Sequence, residues 1–162
     1  MLIPVTQKLS APIITPEAFQ PFGQVIFASP DDQAYSLDDA QLKLEQGIPR
    51  FYIMRLYNQG RTFSRITRHQ RCTQCLGSLA GKDWLMAVAP ASEQPQPDWS
   101  AIAAFKIPSN CFIKLNLGTW HSGPYFDEDC VDFYNLELSD TNINDHDTCD
   151  LFATYSVMLE IL

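Results

Sequence analysis

Two stretches far apart in the chain hold the side chains best suited to chemistry. One is ITRHQRCTQCLGSLAGKDWLMAVAP, Ile66 to Pro90, and the other is LNLGTWHSGPYF, Leu115 to Phe126. Each carries one histidine, His69 and His121, set beside glycines and aromatics. An imidazole titrates near pH 6.5, so it can accept or return a proton close to neutrality, and its neutral form is a ligand for first-row divalent ions. The amide oxygen of Gln74 is an acceptable third ligand. If the strands carrying them face one cavity, His69, Gln74 and His121 form a metal set that lacks a carboxylate and holds an ion loosely. The competing reading is that each histidine is hydrogen-bonded in the wall of a β-protein.

Other motifs point to weaker chemistry. Cys72-Thr73-Gln74-Cys75 has the C-x-x-C spacing of half a zinc site or a redox pair, but no second such pair completes four zinc ligands, and in a strand the two sulfurs face opposite ways. The five cysteines, odd in number and irregularly spaced, read as reduced and core-filling. Asp140 to Asp147 (DTNINDHD) imitates the opening of a calcium loop, yet Asp145 stands at its glycine and Leu151 at its closing glutamate. A solvated acidic loop is expected there, with His146 exposed. No G-x-S-x-G elbow exists, and Gly77 to Lys82 lacks phosphate-loop spacing and reads as a tight turn.

The elements that must position these residues are mostly strands. Extended segments are expected at Pro4–Pro12, Gln24–Ala28, Arg50–Tyr57, Thr62–Thr67, Leu85–Ala89, Cys111–Leu117, Val131–Leu138 and Ala153–Leu162, bounded by Gly, Pro, Asn and Asp. Val131, Phe133, Asn135 and Glu137 fall on one face of their strand. Thr15-Pro16 is a helix start, with Thr15 as cap and Pro16 at the first helical position. Residues 33–46 read as a polar surface excursion, 91–99 as a Pro-rich loop, and Trp99 to Phe105 as a short turn or helix leading into a strand. Many short strands with little helix predict a single all-β domain, a sandwich or barrel, over residues 1–162.

Composition narrows the function. A chain of 162 residues with 46% hydrophobic and 19% charged residues can bury one proper core. The net charge of −8 disfavours a nucleic-acid partner and gives no help in drawing in an anionic substrate from a distance. No apolar run reaches the roughly 20 residues of a membrane span, and prolines interrupt the N-terminal apolar stretch where a signal peptide needs continuity. Cytoplasmic residence is the expectation.

RHQRCTQCLGSLAGKDWLMAVAP, then AFKIPSNCFIKLNLGTWHSGPYF, then DFYNLELSD resembles the ureidoglycolate lyase family, from about Phe19 through Asp140. The resemblance implies a cupin-type jelly-roll barrel, commonly a homodimer. It also implies a lyase that splits ureidoglycolate into glyoxylate and urea in purine (allantoin) breakdown. Against the cupin motifs, His69, Gln74 and Gly81 fall at the spacing of the first, and Gly118-Thr119-Trp120-His121 follows the G-x-x-H of the second. The chain departs from the family at Thr67, where the family favours Glu, and at Ser122, where it favours His.

On this resemblance His69 or His121 acts as general base or acid, and Arg68 or Lys82 pairs with the substrate carboxylate. Gln74 bonds the ureido group or binds a divalent metal, and Trp120 and Phe126 are apolar walls. The alternative is a divergent cupin that binds a small carboxylated ligand without turning it over. A metal-dependent oxygenase is the least favoured reading, because Thr67 leaves the ligand set short of two histidines and a carboxylate.

Overall fold

A computed structural model describes residues 3–162. The strands of the first half are β1 (Val5–Leu9), β2 (Gly23–Phe27), β3 (Pro49–Tyr57), β4 (Thr62–Phe63), β5 (Arg65–Arg68), β6 (Gln74–Ser78) and β7 (Trp84–Ala89). Those of the second half are β8 (Ala103–Ile107), β9 (Cys111–Leu115), β10 (Trp120–Tyr125), β11 (Cys130–Leu138), β12 (Asp147–Asp150) and β13 (Val157–Ile161). Helix is confined to short turns: α1 (Pro16–Phe19), α2 (Thr141–Asn144), α3 (Leu151–Tyr155) and a 3₁₀ turn at Trp99–Ala101.

Two five-stranded antiparallel sheets make the barrel. Their orders are β2-β9-β6-β11-β3 and β12-β5-β10-β7-β8. From β5 to β11 the chain changes sheet at every step except β7 to β8, so sequence neighbours lie on opposite walls. That path is the jelly roll, the all-β barrel of the cupin type. A third sheet, β1-β13-β4, lies outside the second wall, with β1 parallel to β13.

Side-chain alternation divides the core into two layers. Trp84, Met86 and Val88 of β7 face inward and pack with Leu76, Ile113 and Phe133 of the other wall. Leu85, Ala87 and Ala89 face outward and are covered by Val157, Leu159 and Ile161 of β13. A strand buried on both faces reads as the unbroken apolar run LMAVA.

The structure departs from the sequence expectation in several places. The stretch Asp140–Asp150 is not a plain loop: it forms α2 and then β12, which pairs with β5 through Asp147 opposite Arg68 and Asp150 opposite Arg65. The ladder and the ion pair of Asp147 with buried Arg68 hold this strand, which has no apolar alternation to betray it. The stretch Ala153–Leu162 is a helix followed by a strand. Asp150 caps α3 by accepting from the Ala153 amide at 2.9 Å, and Ser156 ends it with a left-handed φ of 57°. Gly77 and Ser78 belong to β6, and the turn after them carries positive φ at Ala80 and Gly81. Thr15 does cap α1, accepting from the Ala18 amide at 3.2 Å.

Candidate functional site

His69 stands just past the end of β5, where alternation along Ile66, Thr67 and Arg68 turns its ring inward. The strand's exit is pinned by Asp145, whose carboxylate accepts from the amides of Gln70 and Arg71 at 2.8 Å each. The main-chain oxygen of the same residue lies 2.6 Å from His69 Nδ1. A carbonyl only accepts, so Nδ1 carries the hydrogen and Nε2 keeps its lone pair. The His69 carbonyl in turn accepts from the Gly118 amide at 2.7 Å, which ties the two histidine segments together. Gly118 takes a φ of 75°, a conformation suited to glycine.

His121 is on β10, opposite Thr67 of β5 and Val88 of β7. Its Nδ1 lies 3.3 Å from the Thr119 carbonyl oxygen, so its Nε2 is also the free nitrogen. The two rings have centroids 4.9 Å apart, and the ring of His146 is 5.7 Å from that of His69. Burial, and then the neighbouring His69, holds the pKa of His121 down to about 3. Burial lowers that of His69 as well, against the raising effects of the Asp145 carbonyl and of the Glu137 and Asp145 carboxylates. Both imidazoles are therefore neutral bases at neutral pH.

A cavity of about 290 Å³ opens beside this pair, lined among others by Arg65, Thr67, His121, His146, Leu56 and Tyr125. Its size suits a small metabolite. Behind the histidines, on the opposite wall, Gln74, Asn135, Tyr52 and Glu137 join in one hydrogen-bonded group. Asn135 and Glu137 are 1% and 2% exposed, so these polar groups depend on one another rather than on water. Gln74 Oε1 is buried with no partner among the described residues.

Of the residues read from the sequence, His69 and His121 are brought together and Gln74 is buried on the facing wall. Arg68 and Trp120 are not part of the cavity. Arg68 points to the outer layer, where it bonds Asp147 at 2.7 Å and the carbonyls of Ser92 and Gln94, and its guanidinium lies 4.5 Å from the centre of the Trp120 ring. The cause is strand alternation: the neighbour of an inward residue points outward. Lys82 lines a different cavity, with Arg61 and Lys106, and lies 3.9 Å from Glu128. Phe126 is a core residue packed on Phe133. The two sulfurs of Cys72 and Cys75 part company: Cys72 Sγ meets Thr141 Oγ1 at 3.4 Å, while burial pushes the Cys75 thiol up to about 11 near Lys114.

Five site residues escaped the sequence reading. Arg65 lines the cavity two positions before Thr67, on the same strand face, and its Nε is 3.8 Å from Asp150. His146 is exposed as expected, yet its place just before β12 brings it to the cavity. Tyr52 joins from β3, and Asn135 and Glu137 join from β11. Glu137 and Asn135 had a signal, being two polar residues on the strand face of Val131 and Phe133, where an apolar residue would be expected.

The site is thus a pair of adjacent neutral imidazoles on the inner wall of a jelly-roll barrel. The chain belongs to the ureidoglycolate lyase family, whose profile matches residues 6–158. A solved structure similar to part of the chain, RmlC from Streptococcus suis in complex with dTDP-D-xylose, is 11% identical, with a TM-score of 0.42. That match covers 55% of this chain and 43% of the other, so the chain spans less than half of that protein. No curated protein matches the chain. Among the described residues no helix is long and apolar enough to cross a membrane.

Proposed function

We propose that the protein is a ureidoglycolate lyase, cleaving ureidoglycolate to glyoxylate and urea in allantoin breakdown in the cytoplasm. The observation that carries this reading is the pair of free Nε2 atoms on His69 and His121, each fixed by a backbone carbonyl on the far side of its ring. Ureidoglycolate is a carbinolamide. A base removes the hydroxyl proton, the carbon–oxygen double bond of glyoxylate forms as the C–N bond breaks, and the proton passes to the leaving nitrogen to give urea. His121, on the cavity wall, is the base, and His69 beside it shares the proton. General acid–base assistance of this kind contributes about 10²–10⁴-fold.

Arg65 replaces Arg68 and Lys82 as partner of the substrate carboxylate. It lines the cavity, and its contact with Asp150, at 3.8 Å, is loose enough to exchange. A planar guanidinium holds a carboxylate through two parallel hydrogen bonds.

The donors present also fit a divalent metal ion. Two imidazole nitrogens are free, and Gln74 Oε1 is a buried oxygen without a partner. Among the described residues no three His, Cys, Asp or Glu side chains form a ligand group, so the ion would be held loosely by His69, His121 and Gln74. A bound ion would polarise a substrate oxygen as a Lewis acid.

The family's homodimer is proposed here too. On the outer face of β3, Phe51 and Ile53 are 71% and 63% exposed, an apolar surface suited to a second copy.

A second reading, a cupin that binds a small carboxylate without turnover, is favoured by one observation. Thr67, where the family favours Glu, spends its hydroxyl on Thr148 Oγ1 at 2.8 Å and supplies no acid. Release of urea and glyoxylate by purified protein, with and without added divalent metal, separates the two. Turnover lost in His121→Ala supports the lyase. Ligand binding with no turnover under any condition overturns it.

A further inference from the structure

We propose that Glu137 is a positioning residue that acts through Gln74, fixing its amide so that the site recognises an N–H donor of the ligand. The inference rests on the reading of the cavity as a ureidoglycolate site, and names the feature that selects a ureido group.

The placement follows from register. Strand β11 pairs with β6 so that Asn135 is opposite Leu76 and Leu136 is opposite Cys75. Continuing that antiparallel ladder by one step sets Glu137 opposite Gln74. Four side chains then close a ring. Gln74 Nε2 donates to Asn135 Oδ1 at 3.0 Å, and Asn135 Nδ2 donates to the Tyr52 hydroxyl at 3.2 Å. The Tyr52 hydroxyl donates to Glu137 Oε1 at 3.1 Å, and Gln74 Nε2 reaches Glu137 Oε2 at 3.5 Å.

The polarity of this ring is set by one member. A carboxylate only accepts, so Tyr52 gives Glu137 its single hydroxyl proton and must itself accept from Asn135. Asn135 has then used its amide nitrogen and offers its oxygen to Gln74. Both amide hydrogens of Gln74 are committed, one to each end of the ring. Its Oε1 is left as the ring oxygen without any partner, on a side chain that is only 8% exposed. A buried acceptor without a partner is unfavourable, and a ligand that brings a donor relieves it.

A ureido group brings three N–H bonds, and a carboxylate at its other end suits Arg65. Glu137→Gln removes the constraint: a neutral amide can donate to Tyr52, the ring can run the other way, and Gln74 is free to present Nε2 instead of Oε1. A donor ligand would then meet a donor.

The test uses ureidoacetate, which keeps the carboxylate and the ureido group but lacks the carbinol hydroxyl and so cannot be cleaved. Its binding is measured by calorimetry with a chelator present, for wild type, Gln74→Ala, Glu137→Gln, the double variant and Tyr52→Phe. Each single variant is expected to weaken binding about tenfold, the loss of one hydrogen bond. The double variant is expected to be no weaker than Gln74→Ala alone, because Glu137 acts only through Gln74. The oxygen analogue, with the internal N–H replaced by O, is expected to bind wild type more weakly and to be less sensitive to Glu137→Gln. Thermal midpoints confirm folding, and Tyr52→Phe keeps the test open should Glu137→Gln fail to fold.

Losses that multiply in the double variant overturn the proposal, as does wild-type binding by Glu137→Gln, absence of binding by wild type, or binding that depends on the ring only when a divalent metal is added. Turnover of ureidoglycolate is followed separately. Ring-dependent binding without turnover removes the lyase reading and leaves this inference standing; turnover with ring-independent binding does the reverse.

Discussion

His69 and His121 hold their ring centroids 4.9 Å apart, and each turns Nδ1 to a main-chain oxygen, of Asp145 and of Thr119. The backbone thus decides which nitrogen of each ring is a base. It also makes the pair act as a unit, because protonating one imidazole raises the cost of protonating the other.

Removing either base is therefore expected to lower kcat rather than to weaken substrate binding. His121→Ala should lose about 10²–10⁴-fold in kcat, the range of general acid–base assistance, with KM within a few-fold of wild type. His69→Ala should lose less, since His121 is the ring on the cavity wall. Steady-state assay of urea release measures both. A rise in KM at constant kcat would assign the histidines to binding instead.

The same pair makes stability depend on pH. The ordinary histidine pKa is about 6.5, and burial with the neighbouring ring lowers that of folded His121 to about 3. Between those values the unfolded chain binds a proton that the folded chain does not, so stability falls as the pH drops through this window and is level above it. His69 is shifted in the same direction. The thermal midpoint of wild type should fall between pH 7 and pH 4, and His121→Gln should fall less over the same range. Equal slopes would show that other groups govern the acid limb.

Two arginines three residues apart should behave in opposite ways. Arg65 is 75% exposed at its side chain and lines the cavity, so Arg65→Ala should raise KM for ureidoglycolate about tenfold and leave the unfolding midpoint almost unchanged. Arg68 is 6% exposed and holds two carbonyls and Asp147. Arg68→Ala should cost about 2 kcal/mol in denaturant unfolding, because a buried side chain that bonds Asp147 and two carbonyls and packs on Trp120 is removed. Kinetics and unfolding on the same two preparations separate the roles.

Much of the barrel was legible because its strands advertise themselves. RFYIMRLY is aromatic and β-branched between turn residues, and LMAVA is apolar on both faces. The alternation of Val131, Phe133, Asn135 and Glu137 already put the last two on the core face. What stayed hidden depended on pairing partners rather than on pattern. Strand β12 is held by its ladder to β5 and by Asp147 against the buried Arg68, so nothing in DTCD itself signals a strand, and without that strand His146 cannot be brought to the cavity. Arg68 was misplaced for a related reason: its neighbourhood with His69 in sequence is opposition in space, which the period of two along a strand already implied.

Asp145 joins these strands to the chemistry, and its removal should separate stability from tautomer control. Its carboxylate satisfies the Gln70 and Arg71 amides, whereas its main-chain oxygen holds His69 Nδ1. Asp145→Ala deletes the first function and leaves the second atom in the chain. Two part-buried amides then lose their acceptor, at about 1–3 kcal/mol for each group left unpaired, so guanidinium unfolding should shift to clearly lower denaturant. Asp145→Asn keeps one side-chain oxygen and should lose less, because that atom can still accept. In both variants the loop that carries His69 is held less firmly, and a base displaced by a fraction of an ångström loses rate more than affinity. The expected order of kcat is wild type, Asp145→Asn, Asp145→Ala, with KM nearly level. Unchanged kcat in a variant destabilised as predicted would show that the His69 ring is held by its own carbonyl contact alone.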